Sequence, residues 1–348
     1  MCALILPSPD LPVLTSACQV SEEKREELAS DPDAYFKLRK VIETGGNLIH
    51  DSTIQGTEMQ KAFQAVHRAG MERRLAQRPG LFEAIVPKFS PGCRRLTPGV
   101  GYLEALMADN VDVVTERIVE VTEDGVTLAS GGAAPLDVLV CATGFKVSEA
   151  PPFEVVGRGG QTLAARWAPR PESYLSVAVD GFPNYLMMFG PNSAIGSGSL
   201  TKILECEGDY IVKVLRKLQK EDYATVEPRP ERVRDFTQFV GTYFKRTVYL
   251  DDCKSWYRTD GGRGDWICGL WPGSTLHALE ALRSPRWEDY LWESADPSPN
   301  ALRWLGNGSS RAQTDGDPSW YINNDEVEWP TEGKPEDAAK YKARPWSY

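Results

Sequence analysis

The sequence predicts an α/β protein in which a helical N-terminal stretch leads into a partial parallel sheet and then into a mixed C-terminal region. Three observations predict it. The first ninety residues carry helix caps and helical spacing; β-branched apolar runs take over from Val111; beyond Gly264 tryptophan, proline and turn residues replace any clear period. A chain of 348 residues is long enough for two domains, and 41% apolar with 25% charged residues is the balance of a protein with a sizeable core.

In the helical stretch, Asp31-Pro32 reads as an N-cap followed by proline at the first helical position, ahead of Tyr35, Leu38 and Ile42. Thr57 and Gln60 form a capping-box pattern before an amphipathic run with Phe63, Val66 and Leu75, which Pro79-Gly80 interrupts. Packing is the role these residues suggest. Val111–Val114 and Ile118–Val121 are β-rich, Glu123-Asp124-Gly125 supplies a turn, and Val126–Leu128 returns as the second arm of a hairpin. Leu136–Cys141 is almost continuously apolar and is followed by Ala142-Thr143-Gly144-Phe145, the pattern of a central strand buried on both faces. Tyr185–Phe189 reads as a second buried strand, with Met187 and Met188 in its core, and ends in Gly190-Pro191-Asn192-Ser193. Leu200, Ile203, Leu204, Ile211, Val214, Leu215 and Leu218 then mark a long amphipathic helix. His277 sits in a helix-like run and reads as structural. From about Asp315 the chain is an acidic, proline-containing tail.

Composition excludes several functions. A net charge of -10 disfavours nucleic acid and anionic membranes, which need a positive field. No run approaches the roughly 20 apolar residues that span a bilayer. Seven cysteines without a C-x-x-C pair, and three histidines far apart, predict no metal site and free thiols in a reducing compartment. Met1–Leu6 is too short an apolar stretch for a signal peptide, so the expectation is a cytoplasmic protein. No feature fixes an oligomeric state.

The segment with most chemical content runs from Tyr185 to Lys220. Ligands of open α/β sheets sit outside the carboxyl ends of the strands. Gly190 and Gly196-Ser197-Gly198 allow a planar ligand close to the backbone, and the free N–H groups near Ser199 and Leu200 face it. A reduced flavin, negative at one edge, is one such ligand. Glycine loops before helices occur in many folds, so spacing alone leaves the ligand open.

Four segments resemble the Baeyer–Villiger type of flavin-containing monooxygenase. They are Pro91-Gly92-Cys93-Arg94-Arg95 with Gly101-Tyr102-Leu103-Glu104-Ala105; Asp137 to Phe145; Gly181-Phe182-Pro183-Asn184 through Gly190-Pro191-Asn192-Ser193; and Ser255-Trp256-Tyr257. Trp271-Pro272-Gly273-Ser274 and Pro285–Asp289 resemble the fungal and bacterial branch acting on bulky ketones. The resemblance covers about residues 20 to 290 and implies FAD and NADPH as cofactors, a ketone substrate and molecular oxygen. It implies Arg95 as the catalytic guanidinium, stabilising an oxygen-derived anion and the tetrahedral adduct. Arg94 is then an accessory cation near NADP, although on its own an Arg-Arg pair is a solvated surface feature. Thr143 and Gly144 fall on the strand that returns into the flavin domain, Asn192 and Ser193 on its loop, and Trp256 on a mobile loop over NADP and the substrate pocket. By itself Trp256 reads as a core tryptophan.

The fold so implied is a truncated flavoprotein with two dinucleotide-binding domains. Its parts are 1–90, a helical insertion of the NADP domain; 91–135, the end of that domain with the hairpin; 136–314, part of the FAD and substrate domain; and the tail 315–348. No G-x-G-x-x-G occurs: Gly157-Arg158-Gly159-Gly160 and Gly262-Arg263-Gly264 both lack the third glycine and a preceding strand. This favours an alternative, a non-catalytic remnant without cofactors. Hydroxylation by the same type of enzyme is the other. Without sheet neighbours, Val138–Cys141 is expected to expose apolar side chains and backbone.

Overall fold

The computed structural model describes residues 20–96, 99, 101–144, 150–296, 300 and 302–322. Met1 to Gln19, Cys2 and Cys18 among them, Phe145, and the acidic tail from residue 323 lie outside the described residues.

The N-terminal helices form where their caps predict. Ser21 caps α1 (Glu22–Ser30), and Asp31 accepts from the backbone N–H groups of Asp33 and Ala34 to start α2 (Pro32–Leu48). Thr57 accepts from Gln60 N–H at 3.1 Å and starts α3 (Glu58–Arg74). Pro79-Gly80 opens α4 (Pro79–Ile85) rather than merely ending a helix, because proline fits the first helical position. A short α5 (Tyr102–Ala105) follows, and Leu75, Phe82 and Leu103 form a small core between α3, α4 and α5. The expected packing face of α2 is not buried: Tyr35 is 50% and Ile42 45% exposed, and Val66 on α3 is exposed as well.

The sheets differ from expectation. The hairpin is present as β1 (Ile118–Thr122) and β2 (Gly125–Leu128), joined by β3 (Ala133–Pro135) in one antiparallel sheet. Val111–Val114 is not a strand. Leu136–Cys141 is not one either. Beyond Leu136, whose N–H donates to Asp124 O at 3.0 Å, it runs over the surface outside any strand, with Val138 75% and Val140 81% exposed. Its pattern is that of a strand sandwiched between neighbours, and none among the described residues pairs with it; the exposure is the outcome expected of it without such neighbours. Tyr185–Phe189 contributes only an isolated antiparallel bridge, Leu186 with Ala178; Met187 is buried but Met188 is 56% exposed. The expected parallel sheet is thus replaced, among the described residues, by small antiparallel sheets and one parallel bridge, Ala194 with Leu270.

The main core is built on helices. A single turn α6 (Leu163–Arg166) precedes α7 (Leu200–Lys220), which buries Ile203, Glu207, Tyr210 and Val214 at helical spacing. Next come β4 (Tyr223–Pro228), α8 (Pro230–Phe244), a turn α9 (Thr259–Gly262), α10 (Thr275–Ala281) and β5 (Tyr290–Ser294), the last antiparallel to β4. Tyr210, Val226, Val240, Tyr257, Trp271 and Tyr290 belong to the resulting cluster. His277 is structural, as expected: it accepts from Trp271 Nε1 at 2.9 Å. The chain divides into two compact units, Met1–Gln219 with Tyr223–Ala295, and Lys220–Asp222 with Asp296–Tyr348. In the second, Arg303 donates to the carbonyls of Asp222 and Asp296.

The exposed valines yield a direct prediction. The double variant Val138→Lys/Val140→Lys is expected to leave the thermal midpoint within about 2 °C of wild type, since surface substitutions cost within about 0.5 kcal/mol. It is expected to lower light scattering on concentration, because it breaks up an apolar patch. A marked fall in the midpoint would show that this segment is packed.

Candidate functional site

The site grows from the loop between Gly190 and α7. Asn192 adopts a left-handed backbone, φ 66°, which asparagine tolerates better than most residues. That turn aims its side chain into the core, where Nδ2 donates to the carbonyls of Ile267 at 2.8 Å and Leu270 at 2.9 Å. Its backbone N–H donates to Cys268 O, Ala194 N–H to Gly269 O, and Trp271 N–H to Ala194 O. The loop 190–194 and the segment 267–271 are thereby sewn together. Ser193 Oγ donates to Gly190 O at 2.6 Å and closes the turn.

Tyr257 carries the next layer. Its carbonyl accepts from the N–H groups of both Cys268 and Gly269, and its ring meets Trp256 edge-on at 4.7 Å. Burial pushes the Tyr257 hydroxyl up, and the Arg95 guanidinium bonded to it partly offsets that. Arg95 Nη2 also donates to Ile195 O at 3.2 Å, two residues beyond Ser193. Arg95 is exposed by area, yet its head is fixed at the loop.

A covalent tie serves the same geometry. Cys93 and Cys253 form a disulfide with their Cα atoms 6.6 Å apart, joining the segment of Arg95 to the segment of Trp256. This corrects the expectation of free thiols throughout. The partners are separated by 160 residues, so no local spacing reveals them. Cys141, Cys206 and Cys268 are free. Ser90 N–H donating to Asp251 Oδ2 at 2.8 Å reinforces the junction.

Beside the loop lies a cavity of about 380 Å³ whose walls include Trp167, Tyr185, Phe189, Ser193, Trp256 and Cys268. It is lined mostly by apolar and aromatic groups with few polar ones, the usual make-up of a small-molecule site. Burial pushes the Cys268 thiol up to about 11, and Sγ donates to Tyr257 O, so this thiol is a wall and not a nucleophile. A separate open groove runs along α8, where Arg170 lies 4.1 Å over the Trp266 ring; it contains none of the residues singled out from sequence. No group of three metal-ligating side chains occurs among the described residues, and no helix among them is long and apolar enough to cross a membrane.

No protein-family model matches the chain. Curated relatives do. It is 35% identical over 308 residues to the FAD-binding monooxygenase tazF of Aspergillus terreus, covering 87% of this chain and 54% of that protein. It is 35% identical over 293 residues to the FAD-binding monooxygenase moxY of Dothistroma septosporum, covering 84% and 46%. This chain is similar, over most of its own length, to one part of FAD-binding monooxygenases. It spans about half the length of these relatives. Solved structures agree in fold: cyclohexanone monooxygenase from Rhodococcus sp. Phi1 bound to NADP+ gives a TM-score of 0.63 at 23% identity, over 80% of this chain and 52% of that one. An oxidized steroid monooxygenase bound to NADP gives 0.58 at 25% identity, over 82% and 54%.

Within this monooxygenase-like chain the residues singled out from sequence separate into groups. Ser193 and Trp256 share the cavity wall, and Arg95 is fixed to the same loop. Asn192 lies 3% exposed behind that wall, with its amide committed to the protein. Arg94 is exposed. Thr143 and Gly144 are exposed at the end of the unpaired segment and do not line the cavity. The loop glycines also act differently from expectation. A Cβ at Gly196 would collide with the Tyr249 hydroxyl, and one at Gly198 with Thr275 and Asn47, so protein fills the space read as room for a ligand. Trp167 and Cys268 escaped sequence reading because each looks like an ordinary core residue, and Tyr185 and Tyr257 fell inside quoted segments without being given a role. Only the adjacency of Tyr257 to Trp256 hinted at one of them.

Removing the disulfide as Cys253→Ser is expected to cost about 2–5 kcal/mol of stability, the typical range for a cross-link closing a long loop. Chemical denaturation of the two proteins without reductant measures it. Equal midpoints would mean the thiols are unpaired in solution.

Proposed function

We propose that this chain carries the oxygen- and ketone-facing part of a Baeyer–Villiger type monooxygenase that uses FAD and NADPH. One oxygen atom of O₂ is inserted beside the carbonyl of a bulky ketone, giving an ester or lactone; the other leaves as water, with NADPH the reductant. The observation that carries this reading is that Ser193 and Trp256 share one aromatic cavity while Arg95, from a segment far away in sequence, is bonded to Ile195 O on the loop that carries Ser193. The names of the relatives support the cofactor, and those of the structural neighbours the reaction class.

The residues present suit the reacting end of a flavin better than its pyrophosphate. A cation and a largely apolar cavity border one loop, but no glycine fingerprint for the phosphates occurs in the chain. When bound, the flavin supplies the two-electron reduction of oxygen. The work of the chain itself is electrostatic and steric. Arg95 holds a permanent positive charge where negative charge develops on oxygen, and its bond to Ile195 O fixes that charge in place. The cavity presents the rings of Trp167, Tyr185, Phe189 and Trp256 to the flanks of the ketone. Trp256, part of the cavity wall, would be the residue to stack against the nicotinamide. Thr143 and Gly144, exposed here, serve the cofactor only where further sheet covers them.

A second reading, a non-catalytic remnant, is favoured by the missing fingerprints and by the uncovered Leu136–Gly144 segment. The two diverge on purification with FAD. A yellow protein that consumes NADPH and oxygen and forms an ester is the expected outcome; a colourless one that takes up no flavin supports the remnant, and a hydroxylated product supports the hydroxylase variant. Given activity, Arg95→Ala is expected to lower product formation by at least about 100-fold with flavin still bound, the scale for losing one preorganised oxyanion donor. Trp256→Ala is expected to divert reducing equivalents to hydrogen peroxide. Product formation by the Arg95 variant at the wild-type rate would remove Arg95 from its role.

A further inference from the structure

The cavity wall formed by residues 187–190 is held from behind at three points. Met187 N–H donates to Val177 O at 2.8 Å. Gly190 lies so close to the carbonyl of Ser176 that a Cβ there would collide with it, which fixes the far end of the wall. Between them, Phe189 adopts a left-handed backbone, φ 58°, costly for an aromatic residue, and its N–H donates to Glu207 Oε2 at 2.9 Å. Of the three anchors only Glu207 is a side chain.

Glu207 is an odd residue for its place. It projects from α7 into the main core and is 0% exposed. Its second oxygen, Oε1, is buried with no hydrogen-bond partner among the described residues, and no cation pairs with the carboxyl. Burial alone pushes the acid up to about 7, against the bond from Phe189. A glutamine, or an apolar residue at this helical position, would avoid the cost of burying an unpaired carboxyl. Stability therefore does not account for it, whereas a strained wall that needs a strong acceptor does.

We infer that Glu207 is a positioning residue for the cavity, holding Phe189 in its left-handed conformation and so setting the shape of the wall against which the ketone packs. The inference rests on the cavity being the ketone site. Released from the carboxyl, Phe189 relaxes toward negative φ, and its ring and the adjacent Met188 and Gly190 shift out of register with Tyr185 and Trp256.

Binding of 2-acetonaphthone to the full chain tests this without any flavin chemistry, read by quenching of the tryptophans, two of which, Trp167 and Trp256, line the cavity. Glu207→Gln keeps an acceptor oxygen at the same reach but loses its charge, and is expected to bind about threefold more weakly than wild type, the scale of replacing a charge-assisted hydrogen bond by a neutral one. Glu207→Asp withdraws the carboxyl by one bond, roughly 1.5 Å, and is expected to bind at least about tenfold more weakly, the scale of losing one charge-assisted hydrogen bond. Asp binding as tightly as wild type, or Gln weakening as much as Asp, overturns the positioning role while leaving the cavity assignment intact. A wild-type chain that the ketone does not quench overturns the cavity assignment, and the inference with it.

Discussion

The side-chain amide of Asn192 is the contact on which the rest of the site depends. Both of its N–H bonds end on core carbonyls, those of Ile267 and Leu270. Each such bond contributes only about 1 kcal/mol net, but leaving either carbonyl unpaired in the core costs about 1–3 kcal/mol. The two strands of chain therefore dock together or not at all. Once docked, they put Ser193 in the cavity wall, present Ile195 O to Arg95, and set the direction in which α7 leaves. The left-handed turn at 192, φ 66°, is part of the same arrangement.

A second constraint brings the basic segment to this loop. Helices α2 and α3 flank a short stretch that bridges to the end of α8: Ile54 pairs with Thr247, and Gln55 N–H donates to Arg246 O. From there the chain passes through α4 to Ser90 and Cys93, which attach to Asp251 and Cys253. The stretch from Ile54 to Cys93 thus has a mechanical role in delivering Arg95. Tyr249, buried among Phe244, Tyr257 and the Gly196 backbone, is the aromatic post around which these attachments turn.

Sequence made the local features legible. Caps at Asp31 and Thr57, the hairpin turn at Glu123-Asp124 and the 3.6-residue period of α7 depend on neighbours a few residues away, and each is found where the pattern puts it. Non-local partners were not legible. The pairing of Tyr223–Pro228 with Tyr290–Ser294, the Cys93–Cys253 link and the filling of the Gly196 space by Tyr249 join segments that no periodicity connects. Leu136–Cys141 failed in the opposite direction: its composition specifies burial, but burial needs adjacent strands, and none of the described residues provides them. Of the candidate site residues, Arg95, Ser193 and Trp256 were singled out through motif resemblance. Glu207 was invisible because a glutamate in an amphipathic helix reads as a surface residue.

Native-state hydrogen exchange on the backbone amides of Asn192, Ala194 and Trp271 tests the central claim most directly. These three donate across the junction that the Asn192 side chain secures. They are expected to be strongly protected and to open together, with a common free energy close to that of global unfolding. Exchange of Ala194 and Trp271 as fast as that of the exposed valines at 138 and 140, or at rates unrelated to one another, would show that the junction does not hold the loop and that the cavity is not built on it.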